Sequence, residues 1–142
     1  MIMDIRKIFG LFSNDPKEEQ IFENLETFKT TPYFKLGMFE KLIMNGLNYK
    51  KKIVEFFNAS SEDLDLGDVE AAGDFIMYSR GWFWISQMVI DDEEWEYNLK
   101  QLSSPEFITA IKLSIYYFEG IEEFEKCSFL KQIENKVQKY LD

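Results

Sequence analysis

With 142 residues, 46% of them apolar and 17% aromatic, the chain has the size of one domain and the apolar mass for a core, which excludes a disordered tail. A formal net charge of −10, from 26 Asp and Glu against 16 Lys and Arg, disfavours direct contact with a nucleic-acid backbone or an anionic membrane. The lack of histidine removes Ser/His/Asp and Cys/His nucleophile systems, histidine-bearing zinc sites and the Glu-x-x-His pattern of di-iron bundles.

Cys127 is the single cysteine, so an intrachain disulfide and a four-cysteine metal site are both impossible, and a reducing cytoplasm is the expected location. Asp4, Arg6 and Lys7 fall where the apolar core of a signal peptide would begin, and no export signal is predicted. The longest uncharged stretch, residues 81–90, is about half of what a bilayer-spanning helix needs.

In chain order, Gly10 interrupts a short amphipathic stretch that is expected to pack on the chain's own domain. Asp15-Pro16-Lys17-Glu18 then gives an N-cap, a proline at the first helical position and an acid, and Ile21, Phe22, Leu25 and Phe28 follow at helical spacing. Thr31-Pro32 repeats the start signal for a helix through Phe34, Met38, Phe39, Leu42 and Ile43, which Asn45-Gly46 is expected to stop. The run Lys50-Lys51-Lys52, read as a solvated helix face, leads a further helix through Ile53, Val54, Phe56 and Phe57 into a polar connector over residues 58–63.

Asp68 is expected to cap a helix through Val69, Ala72, Phe75 and Ile76 that continues past Gly81 towards Met88 and Val89. Residues 81–90 are apolar nearly all round, so periodicity leaves helix and strand both open there, with helix favoured by the neighbours. Asp91-Asp92-Glu93-Glu94 suits the first turn of a helix with Trp95, Leu99 and Leu102 on one face. Ser103-Ser104-Pro105-Glu106 opens a helix through Ile108, Ile111, Ile115 and Phe118 that Gly120 closes, and Ser128 is expected to cap a last one through Leu130, Ile133 and Val137. The sum is an all-α fold, a single-domain irregular helical bundle of about six or seven helices spanning the whole chain.

The acid excess is concentrated. Residues 60–98 carry eleven acids against one base, Arg80, whereas the rest of the chain carries 15 of each sign. The same segment contains all three tryptophans, Trp82, Trp84 and Trp95, with Tyr78 and Tyr97 beside them. Aromatic anchors within a charged surround describe many protein-binding sites, in which the rings supply the desolvated centre and the charges supply steering. The candidate partner-binding residues are Asp91, Asp92, Glu93, Glu94 and Glu96, with Glu62, Asp63 and Asp65 as a second patch and Trp95 or Trp82 as the anchor. The competing reading makes the tryptophans core and the acids an ordinary solvated face.

An Asp-x-Asp start at Asp63 and Asp65 invites a calcium-loop reading that fails in detail: Asp68 stands where the turn glycine belongs and Asp74 where the bidentate glutamate belongs. Neither a metal nor a cofactor is expected. No nucleotide-binding glycine motif or nucleophile elbow is present, so a non-enzyme is predicted; a hydrolase would need two carboxylates that sequence cannot pair. Cys127 reads as a small buried hydrophobe.

In general character, through no single motif, the chain resembles the small acidic helical immunity proteins with which bacteria neutralise their own toxins. That resemblance implies an inhibitor covering the active site of a basic protein partner, a toxin or nuclease domain. Two alternatives are a phage-type nucleic-acid mimic, with acids at phosphate-like spacing on an elongated face, and a helical subunit of a larger assembly, with an exposed apolar patch.

Overall fold

The computed structural model describes residues 16–59 and 66–142, and within them the chain is all helical. Six helices run in order: α1 (Pro16–Phe28), α2 (Pro32–Ala59), α3 (Leu66–Ile85), α4 (Glu93–Leu102), α5 (Pro105–Gly120) and α6 (Phe124–Leu141). No strand occurs among the described residues.

Two starts follow the predicted signals, and at a third Asp92, expected within the first turn, is instead the cap before it. Thr31 Oγ1 accepts from Phe34 N at 3.2 Å with Pro32 opening α2. Asp92 accepts from Trp95 N at 3.1 Å to cap α4, and Ser104 accepts from Phe107 N at 3.0 Å with Pro105 opening α5. Each side chain satisfies a backbone N–H that the helix itself leaves without a partner. Pro16 opens α1 as expected, while its predicted cap Asp15 lies outside the described residues.

α2 is the axle. At 28 residues it is about 42 Å long, and α3, α4 and α5 all pack against it. Its inward stripe, Leu36, Phe39 and Ile43, is solvent-free or nearly so, and Phe39 meets Phe107 of α5 edge to face at 5.8 Å. α5 and α6 form an antiparallel pair whose facing stripes include Phe107, Ile111 and Phe118 against Cys127, Leu130, Ile133 and Val137. The buried hydroxyl of Ser114 donates to Ala110 O at 2.8 Å, so it takes no unsatisfied polar atom into this core.

Four expectations are corrected. Asn45-Gly46 does not end a helix; the two segments expected on either side of it are the single α2. Gly46 serves a contact instead, because a Cβ there would run into Met77 Sδ of α3, and at Gly81 a Cβ would come within 2.9 Å of Ile43 Cδ1. Asp68 sits inside the first turn of α3 and does not cap it. The ambiguous stretch 81–90 is helix through Ile85 and a turn beyond, since Ser86 N, Gln87 N and Met88 N close tight bonds onto Trp82 O, Trp84 O and Ile85 O. Ser128 lies within α6, which begins at Phe124 after Glu122 adopts a left-handed φ of 61° and Glu123 N reaches back to Phe118 O at 2.8 Å.

The two α2 glycines give opposite predictions. Nothing lies within 4 Å of a Cβ on Gly37, so Gly37→Ala should raise stability by about 0.5–1 kcal/mol through helix propensity. Gly46→Ala gains the same propensity and must displace Met77, for a net loss of about 1–2 kcal/mol. Urea denaturation of both variants checks this; equal effects would mean that the crossing has no tight contact.

Candidate functional site

The acidic stretch folds into the α3–α4 turn and the first turn of α4, and its five carboxylates divide by role. Asp92 is consumed as the α4 cap. Asp91 holds a left-handed φ of 67°, and its carboxylate accepts from Lys136 Nζ of α6 at 2.9 Å. Glu96 is the most engaged: Oε1 takes Lys136 Nζ at 2.9 Å and the Asp91 N–H at 3.1 Å, while Oε2 accepts from Tyr140 Oη at 2.9 Å.

Burial pushes the Glu96 carboxyl up, and the hydrogen bonds from Lys136, Tyr140 and the Asp91 amide, with the Lys136 charge, more than reverse it, so Glu96 ionises below the ordinary carboxylate value. Hydrogen bonds to Asp91 and then Glu96 lift Lys136 above its ordinary value. Three of the five acids therefore clamp α4 to α6 and shape the turn. Glu93 and Glu94 stand exposed.

The tryptophans are committed inward. Trp95 is 9% exposed and packs in the core, with Lys35 Nζ 5.9 Å from its ring centroid. Trp82 is half-buried, edge-on to Phe118 and Phe129 at 5.9 and 5.5 Å, and Lys126 Nζ lies 5.5 Å from its ring. The accessible face of each ring thus already meets a lysine. Glu62, Asp63 and Asp65, the second patch, lie outside the described residues.

Tyr97, named from the sequence only as a neighbour of the tryptophans, is the aromatic of α4 that faces solvent. Two residues along a helix is about 200° of rotation, so with Trp95 inward Tyr97 points out; it is 64% exposed, one turn from Glu93 and Glu94, and Val89 at 56% exposure precedes it in the turn. The outward face of α4 is therefore a ring between two unengaged carboxylates.

A second surface lies on α3. Its inward residues Met77, Tyr78, Gly81 and Ile85 are buried, and its outward ones are apolar as well: Val69, Phe75, Ile76 and Phe83 are all exposed. Between α2 and α3 opens an apolar groove of about 450 Å³, floored by Leu42 and Met77 and flanked by Tyr49 and Ile76. Lys50 and Asp74 bridge it at 3.2 Å, with Arg80 at its edge.

Among the described residues no group of three or more Cys, Asp and Glu is placed to hold a metal ion. Asp74, the last position of the calcium-like spacing, is taken by Lys50. Burial first, and then the Glu106 charge, raise the Glu40 carboxyl. Glu40 lines a shallow cleft with Phe34 and Lys41 that Glu106 does not line. Cys127 is buried, its thiol pushed up by burial and then by the Glu119 charge, and its Sγ donates to Ile115 O at 3.5 Å, the pattern of a packed thiol. No described helix is long and apolar enough to cross a membrane.

The clamp predicts a pH signature. Glu96 is depressed, so its contribution is present above the unfolded value near 4.5 and disappears as pH falls through the folded one. Lys136 is raised, so its contribution is present below 10.5 and is lost as pH rises through the raised value. Between these limits Lys136→Met should cost about 1.5–3 kcal/mol, nearly all from Glu96, because the exposed Asp91 partner is screened. Denaturation near neutral pH and again below about pH 4 should show a flatter acid limb for the variant; parallel limbs would show that the clamp does not set it. Compared with protein-family models, with curated proteins and with solved structures, the chain has no significant match.

Proposed function

We propose that this protein is a non-enzymatic, acidic helical inhibitor of the immunity or antitoxin type, which covers the active site of a basic partner such as a nuclease toxin. On this reading it is a single-domain irregular bundle working in the cytoplasm, and the outward face of α4 is its contact. The observation that supports it is Tyr97, 64% exposed, one turn from Glu93 and Glu94 on a helix that Lys136 holds against α6. A pre-ordered tyrosine gives contact area at small entropic cost, and the flanking carboxylates steer a positive surface towards it.

Two carboxylates on one turn around one ring favour a point contact over the phosphate-like row that a nucleic-acid mimic needs. The subunit reading has an observation of its own in the apolar outward face of α3. The test is capture of the partner with the tagged full chain at low and moderate salt, followed by association kinetics with the wild type and with Glu93→Gln/Glu94→Gln. The charge-neutralised variant should associate roughly tenfold more slowly with a flatter salt response. Tyr97→Ala should weaken the complex by about 2 kcal/mol, roughly 30-fold in Kd. A basic partner that binds both variants like the wild type would end this reading.

A further inference from the structure

We propose that the outward face of α3 is a docking surface for a second copy of this chain, paired as an antiparallel helix dimer centred on Ile76. The proposal goes beyond the inhibitor reading and stands apart from it, since it uses a different helix face. Val69, Ala72, Ile76, Ser79 and Phe83 recur at intervals of three, four, three and four, the spacing of a helix-pairing seam. Ala72, Ser79 and Phe83 lie on the side turned away from α2, and Val69 and Ile76 form the outer lip of the groove beside it, with Val69 38%, Ile76 55% and Phe83 61% exposed. A surface helix ordinarily carries its charges there. On α3 the charges past its first turn and a half are Asp74, which faces Lys50, and Arg80.

The occupant follows from the seam's complementarity to its own reverse. A two-fold axis at Ile76 sets Ile76 against Ile76 and Val69 against Phe83, a smaller side chain against a larger one at both ends. On one flank Phe75, 61% exposed, meets its own copy, an aromatic pair beside the axis. On the other flank Arg80 faces Gly73 of the second copy. A Cβ on Gly73 would meet nothing within 4 Å, which leaves room for the arginine stem. Reversed pairing therefore sets the basic last part of each α3 against the acidic first part of the other and opposes the two helix dipoles. Parallel pairing would bring Arg80 to Arg80 and one acidic first turn to the other.

From Val69 to Phe83 the seam is about 21 Å long, and the face buries on the order of 500 Å² per copy, near the threshold of a specific interface. Association in the micromolar range is expected. Each copy carries a formal charge of −10, so added salt should tighten this contact by screening repulsion, whereas it loosens one between Glu93, Glu94 and a basic protein. That opposite sign separates failure of this proposal from failure of the inhibitor reading.

The experiment is sedimentation equilibrium of the full chain from low micromolar to near-millimolar concentration at two salt levels, with site-directed crosslinking. The mass should rise from one chain to two and rise further with salt. Ile76→Glu should stay monomeric throughout with unchanged helicity by circular dichroism, which shows that it still folds. Under mild oxidation Ile76→Cys should crosslink to itself, and Val69→Cys should crosslink to Phe83→Cys in a mixture, while Phe83→Cys alone should not; the buried Cys127 does not compete. A monomer at every concentration hands the face to another occupant and overturns the proposal. A dimer that survives Ile76→Glu, or crosslinks Phe83 to Phe83, overturns it equally.

Discussion

The close crossing of α2 and α3, where each helix presents a glycine to the other, is the constraint on which the rest of the structure depends. Without side chains at Gly46 and Gly81, Met77 and Ile43 settle onto bare backbone, and Ile43 becomes fully buried. Two glycines inside helices cost about 1 kcal/mol each, and burial of the two large side chains they admit offsets this at about 1.5–3 kcal/mol each. Phe39 shows how the crossing organises the core: it lies 3.5 Å from where a Gly81 Cβ would stand and edge-on to Phe107. Opening this crossing would loosen α5 together with α3.

Close packing on one side has a consequence for the other. α3 supplies Met77, Tyr78 and Ile85 to the core, which would suffice for an ordinary amphipathic helix, yet Phe75, Ile76 and Phe83 point away from it. Apolar residues on an outward face leave apolar surface in water, even where, like Phe83 against Trp84, they keep one contact within the monomer. The spacing of three and four through Val69, Ala72, Ile76, Ser79 and Phe83 is an organisation that the core does not require. α4 is the contrasting case: it has a sharp inward edge, Trp95 and Leu99, and a charged outward one.

Local chemistry was legible in the sequence wherever one residue's meaning did not depend on a distant partner. The Thr31-Pro32 and Ser104-Pro105 starts act within a single turn and appear as read, and Asp92 stands one position before the turn in which it was expected. Gly46 was misread because a glycine that ends a helix and one that admits a neighbouring side chain are the same letter; Met77, 31 residues away, decides between them. Ser128 has cap chemistry and no cap position, since the left-handed turn at Glu122 starts α6 five residues earlier than a Ser128 cap would. At the candidate site the acids were visible and their roles were not. Lys136 and Tyr140, which engage Glu96, come from the far end of the chain. Tyr97 was recoverable in principle, because placing Trp95 inward already turns Tyr97 outward.

The two outward surfaces rest on opposite physics, and the acid excess affects both. A formal charge of −10 makes unspecific self-contact repulsive, so an apolar face on α3 can be carried without indiscriminate association, provided that whatever covers it matches its shape and flanking charges. The same charge makes the α4 face attractive to a positive surface over roughly a Debye length, near 10 Å in moderate salt. Desolvation of Phe75, Ile76 and Phe83 is short-ranged and strengthened by salt, whereas attraction through Glu93 and Glu94 is longer-ranged and weakened by it. Because the clamp on Lys136 spends Asp91 and Glu96 on rigidity, the electrostatic reach of α4 comes from fewer carboxylates than its sequence suggests. The exposed ring of Tyr97 then has to supply a larger share of any binding energy there.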